Sequence, residues 1–223
     1  MMRNRLSTAA EDCLLLVHRL EERGEAVTTS GLARSLGVAD STTTAMLQRL
    51  SRKRLLKYKA RKIIALSAQG QEVAVRLIRR HRLIETYLAR HLDYSLPELH
   101  AEAESLEHAV SDRFIEAISR KLGNPTIDPH GEPIPDEHGV QIVRPMNSLA
   151  EAPAGARGRV ARLLDTRPET LRHLSDLGLS IGASVEVLDA PRADRVVHLR
   201  VGNTERVLGS ELASGILLED MAE

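Results

Sequence analysis

Residues 28–53 read TTSGLARSLGVADSTTTAMLQRLSRK, and this stretch decides the fold. Leu32, Ala33 and Leu36 recur at helical spacing, so Thr28–Leu36 is expected to be a short helix. Gly37-Val38 makes a turn. Asp40 or Ser41 is placed to cap another helix, with Met46, Leu47 and Leu50 on its apolar face, running to about Lys53. Helix, tight glycine turn, helix is the helix-turn-helix arrangement. Upstream, Leu6, Leu14, Val17 and Leu20 predict a first helix over 7–23, with Ser7 or Thr8 as cap and Gly24 as its end. Downstream, Leu55–Ala60 and Lys62–Ser67 read as two short strands around a basic turn, which makes a wing.

The fold class expected is mainly α with a small β domain. An N-terminal winged helix-turn-helix (1–73) precedes a helical dimerisation domain (74–144) and a C-terminal SH3-like β-barrel (150–223). In the middle part, Val73, Leu77, Ile84, Leu88 and Leu92 stripe a long helix over 70–92. Pro97 opens the next helix at its first position, where proline is tolerated. Leu99, Ala103, Leu106, Val110, Phe114 and Ile118 carry that helix to Leu122-Gly123. Prolines at 125, 129, 133, 135 and 145 mark residues 123–157 as loop and linker. Strands are then expected at Arg159–Leu164, Ser184–Asp189, Val196–Val201 and Glu205–Leu208, with a helical turn or two at Thr170–Leu177.

The formal net charge of zero hides an uneven distribution. Residues 1–73 carry 13 Lys/Arg against 7 Asp/Glu, while 74–144 and 145–223 each carry 9 against 12. A basic N-terminal part on a neutral chain points to a polyanion partner for that part alone. Eight Lys/Arg and no acid lie between Arg49 and Lys62. The candidate contacts to a duplex are Ser41, Thr42, Thr43 and Thr44 at the start of the recognition helix, and Arg49, Lys57, Lys59, Arg61 and Lys62 along its end and the wing. Aromatic content of 2% argues against a stacking reader of single strands. The single cysteine, Cys13, excludes an intramolecular disulfide and fits a reducing cytoplasm. No apolar run approaches the roughly 20 residues of a membrane span, and the N-terminus has no secretory core, so a cytoplasmic protein is expected.

The helix after Pro97 also holds His100-x3-Glu104-x2-Glu107-His108, which falls on one stripe roughly 100° wide beside the apolar face. Half-buried polar groups need partners, and two carboxylates with two imidazoles can satisfy one another through a divalent cation. His81 and Glu85 form a second pair at i,i+4, and Asp12 is a donor from the first helix. All these donors are oxygen or imidazole nitrogen, which suits Mn(II) or Fe(II) and lacks the thiolates that favour softer metals.

These residues resemble the diphtheria toxin repressor family of iron- and manganese-dependent regulators. The likeness is carried by Leu6–Asp12, Arg80–Glu85, Leu106–Asp112 and Asn124–Pro135. It implies a homodimer that binds palindromic operator DNA when metal is bound. It also implies a primary site of Asp12, Glu104, Glu107 and His108 and an ancillary site of His81, Glu85 and His100, with Glu169 of the third domain as a further ligand. Iron-type members have Met where Asp12 stands and Cys where Glu104 stands. The hard oxygens here favour Mn(II), with Fe(II) the alternative. Leu15 stands where some manganese-type members have a further Glu, so separate sites are implied. Two other readings remain. One is a winged-helix regulator that needs no metal; the other is a metalloenzyme, for which no nucleophile or base motif is present.

Overall fold

The computed structural model describes residues 6–60, 62–189 and 196–222. The chain divides into two compact units. One comprises residues up to His81 with Pro135–Val140, and the other Arg82–Ile134 with Gln141–Glu223.

The first unit holds α1 (Thr8–Glu22), α2 (Thr29–Ser35), α3 (Asp40–Arg52), β1 (Leu56–Lys59), β2 (Ile63–Leu66) and the start of α4 (Ala68–His91). Its core gathers Cys13, Leu14 and Val17 of α1, Leu32 of α2, Met46, Leu47 and Leu50 of α3, and Leu56 and Leu66 of the hairpin. Thr28 caps α2, its hydroxyl accepting from Gly31 N at 3.0 Å. The cap of α3 is Ala39 and not Asp40 or Ser41; Asp40 lies in the first turn, where its charge still complements the helix dipole. β1 and β2 pair antiparallel from Leu56↔Leu66 to Lys59↔Ile63. Glu21 of α1 accepts from Leu66 N at 2.9 Å, tying the hairpin to the helices. Gly70 is required at the start of α4, since a Cβ there would lie 2.0 Å from Leu55 O.

In the second unit α4 continues and packs Leu83, Ile84 and Leu88 against Leu99 and Ala103 of α5 (Leu96–Glu107) and Ile115 and Ile118 of α6 (Asp112–Lys121). The single helix expected from Pro97 to Leu122 is therefore two. The amides of Ala109 and Val110 both donate to Leu106 O, closing α5, and the Ser111 hydroxyl accepts from Phe114 N at 3.2 Å, opening α6. The break turns Phe114 outward, and Leu92, beyond the end of α4, is exposed as well.

The rest of this unit is β3 (Asn147–Ser148), β4 (Arg157–Leu163), α7 (Pro168–Asp176), β5 (Ser184–Asp189), β6 (Val196–Val201), β7 (Thr204–Gly209), α8 (Ser210–Ser214) and β8 (Ile216–Ala222). The strands form one antiparallel sheet in the order β3-β8-β4-β5-β6-β7. Its core includes Val160, Leu163, Leu171, Leu174, Val187, Leu199, Leu208 and Ile216. The expected closed barrel is not formed among the described residues. β3 supplies only the pairs Asn147↔Leu218 and Ser148↔Leu217, and no ladder joins it to β7. No described helix is long and apolar enough to cross a membrane.

Candidate metal centres and nucleic-acid surface

α5 is set by a capping box. The Glu98 carboxylate accepts from Ser95 N at 2.9 Å and from the Ser95 hydroxyl, and these bonds hold its pKa below the usual carboxylate range. With Pro97 in the first turn, this start fixes the phase of the helix. Leu99 and Ala103 then face the core, and His100 lies at its edge.

Glu85 of α4 is 3% exposed, and its Oε1 lies 3.7 Å from His100 Nδ1. His81 is buried one turn before it on the same helix. At the other end of α5, buried Glu107 places Oε1 3.2 Å from Nε2 of His108, which is the C-cap of the helix. Asp12 is half-buried on α1. Glu104 is exposed on α5. Glu169 is exposed on α7, with its carboxylate 3.9 Å from Arg167.

Sequence reasoning missed the groups that close round Glu85 from the loop after α6. His130 is buried, with Nε2 3.6 Å from Glu85 Oε1. Asp128 is buried too. Burial above all, and then the charge of Glu85, push its pKa up to about 6. Its Oδ1 accepts from His130 N at 2.8 Å and Glu132 N at 2.9 Å, and its Oδ2 lies 3.7 Å from Arg82 Nε. An Asp two residues before a His-Gly pair is a turn signal that could have pointed to this loop. Cys13 packs in the core of the first unit, where burial, aided by the charge of Asp12, raises its thiol to about 11.

On the nucleic-acid side, Ser41 and Thr42 are exposed at the start of α3 and Thr44 is half-buried. Thr43 corrects an expectation. It is fully buried on the side of α3 that carries Met46, Leu47 and Leu50, so it cannot reach a base edge. Arg49 is exposed, and its guanidinium donates to the Ser7 hydroxyl at 3.1 Å. Lys57 and Lys59 are exposed on β1, and Lys62 is exposed just before β2. Arg61 lies outside the described residues. Exposed cations on one helix end and one hairpin are what neutralising phosphates requires.

Family models match the chain in sequence order. They are the iron dependent repressor N-terminal DNA binding domain over residues 5–64, the iron dependent repressor metal binding and dimerisation domain over 67–136, and the FeoA domain over 147–220. The iron-dependent repressor IdeR of Mycobacterium leprae is 28% identical across 97% of this chain and 99% of its own length. Among solved structures, a manganese-dependent transcriptional repressor in complex with manganese matches with 35% identity and a TM-score of 0.82, over 94% of this chain and 98% of that one. The manganese regulator SloR matches with 29% identity and a TM-score of 0.74, over 96% and 99%.

Proposed function

The chain belongs to the iron-dependent repressor family, and from that premise we propose that it represses transcription by binding palindromic operator DNA as a homodimer when Mn(II) is bound. The family is one of DNA-binding repressors and not of enzymes. We divide the chain into a winged helix (1–73), a dimerisation and metal-binding part (74–144) and an SH3-like part (150–223), a reading supported by the order of the three matched family models.

The observation that carries the metal reading is a pair of buried carboxylates, Glu85 and Glu107, each set against an imidazole. Burying a carboxylate is costly unless a cation or donor meets it. We group six of the sequence candidates into two sets of three, His81 with Glu85 and His100, and Asp12 with Glu107 and His108, as the family resemblance implies. We assign the first set to an ancillary ion and the second to the primary one. Glu104, exposed one turn before His108, is left to complete the coordination of the primary ion. Glu169 is given no part.

The donor chemistry fits the group. Every candidate offers a carboxylate oxygen or an imidazole nitrogen. Within our proposal Mn(II) is favoured over Fe(II) because Asp12 and Glu104 put hard oxygens where iron-type relatives have Met and Cys. Asp12, Glu104, Glu107 and His108 would hold the primary ion, and His81, Glu85 and His100 the ancillary one; each ion would supply positive charge to neutralise the carboxylates. Asp12 belongs to α1, with the DNA-binding helices, and Glu107 and His108 belong to the end of α5. Ligands divided in that way make metal and operator binding mutually reinforcing, each tightening the other by the same factor. The hydroxyls of Ser41, Thr42 and Thr44 are left to meet bases or phosphates, and Arg49, Lys57, Lys59, Arg61 and Lys62 to meet the backbone.

The test is fluorescence anisotropy on the protein's own promoter DNA, in EDTA and then in Mn(II) or anaerobic Fe(II). Binding that tightens by about 5- to 150-fold with metal is expected from the usual size of such couplings. Equal affinity in chelator would instead make the protein a metal-independent winged-helix regulator.

A further inference from the structure

The loop Asp128–Glu132 lies between α4 on one side and β4 on the other, and it is bonded to both. It is tight in itself. Asp128 N donates to Glu132 O at 2.9 Å, Gly131 N donates to Asp128 O at 3.1 Å, and the Asp128 carboxylate takes the two further amides already described. From α4, the Arg82 guanidinium donates to Pro133 O and, at 3.1 Å, to the Glu132 carboxylate. From β4, Leu163 N donates to His130 O at 3.0 Å, and Arg162 Nε donates to Gly131 O at 3.2 Å. Arg162 also stands 3.8 Å from the Glu132 carboxylate. At Gly131 the two backbones are in contact. Its φ is +85°, and a Cβ there would lie 1.9 Å from Ala161 O and 2.7 Å from Arg162 Cα.

The residue held by its main chain to β4 is thus the residue whose ring faces Glu85. We propose that the C-terminal sheet tunes the metal affinity of the Glu85 site through this clamp, with Arg162 and Gly131 as positioning residues that touch no ion themselves. This rests on the reading of Glu85 as a metal ligand. The mechanism is mechanical. A tight turn moves as a unit, so letting go of its β4 side shifts the His130 ring relative to Glu85 and changes where that carboxylate points. Groups that orient ligands typically govern affinity by about 10- to 100-fold. In this proposal the third domain acts on the metal site through a strand backbone and one arginine.

The experiment uses full-length protein carrying Glu107→Gln, so that the Glu85 site is read alone, and follows free Mn(II) by electron paramagnetic resonance during titration. Into this protein go Arg162→Met, Gly131→Ala and, as a control on the same strand, Arg157→Met, whose exposed guanidinium pairs with Glu186 at 2.8 Å. Arg162→Met keeps the aliphatic stem and the strand, so it remains informative if Gly131→Ala folds poorly. The first two are expected to weaken Mn(II) by roughly tenfold or more, and the control to leave it unchanged. Amide exchange in the metal-free proteins is the second readout, and it should speed up over Asp128–Glu132 in Arg162→Met. Faster exchange with unchanged Mn(II) affinity would make the clamp merely structural and overturn the proposal. So would unchanged exchange. If the Glu107→Gln parent takes up no Mn(II), the metal reading itself fails, and the exchange data still report separately on the clamp.

Discussion

Replacing Thr43 by valine removes one hydroxyl from the interior of the first unit and puts a methyl group in its place. Thr43 is fully buried, and its Oγ1 has no hydrogen-bond partner among the described residues. A buried hydroxyl left unmet costs about 1 to 3 kcal/mol relative to water, and the substituting methyl is nearly the same size. Both residues are β-branched with similar helix propensity, so the backbone of α3 contributes little to the difference. The expected change is a stabilisation of about 1 kcal/mol. For a chain of 223 residues that corresponds to a rise in Tm of about 2 to 4 °C. The assay is a thermal melt of metal-free protein, paired with Mn(II)-dependent anisotropy on operator DNA. DNA affinity should not change, because the hydroxyl faces the core. A fall in Tm, or a loss of operator affinity exceeding that of Thr42→Val at the exposed position, would refute the reasoning and return Thr43 to the DNA surface.

Glu107→Gln should abolish most of the Mn(II) enhancement of operator binding while leaving the weak binding seen in EDTA, which anisotropy under both conditions checks. Glu169→Ala should leave Mn(II) affinity unaltered in a calorimetric titration, whereas His100→Ala should lower it; an equal loss in both would place the α7 carboxylate at the metal after all. Asp165 is held at a pKa of about 2, chiefly by its hydrogen bonds from Arg167. A carboxylate depressed on folding stabilises the protein above its ordinary pKa and loses that contribution as pH falls through the depressed value. The stability gap between wild type and Asp165→Asn should therefore persist near pH 4 and close towards pH 2, as urea melts across that range would show. Cys13, buried and raised to about 11, should react with a thiol reagent at pH 8 only after denaturant is added.

The three N-terminal helices and the hairpin are legible in the sequence because their signals are local. Thr28, Gly37 and the spacing of Met46, Leu47 and Leu50 need no distant partner to be read. Thr43 shows the limit of that reading. A run of four small hydroxyl residues looks uniform, yet a helix turns about 100° per residue and must carry one of them inward. The break between α5 and α6 was masked by continuous apolar spacing through Leu106, Val110 and Phe114, with Ser111 the one cap signal. The helix residues flanking Glu85 are legible by their i,i+4 spacing. Asp128 and His130 are not, because they reach Glu85 from a loop more than forty residues away, where no periodicity applies. The open edge at β3 was likewise invisible, since a strand of two residues carries no alternation.

The interruption after Glu107 has an electrostatic consequence as well as a geometric one. A helix that ended at Leu122 would leave Glu107 and His108 in mid-helix, where peptide dipoles cancel along the axis. Ending at His108, α5 presents its negative pole to the same place as its last acidic side chain. A cation there gains about 0.3 to 1 kcal/mol from the backbone alone. That attraction is indifferent to the chemical identity of the cation, so it strengthens any divalent ion alike. Discrimination between metals is thereby left to the side chains, which can be exchanged one at a time during evolution without loss of the field that recruits the charge.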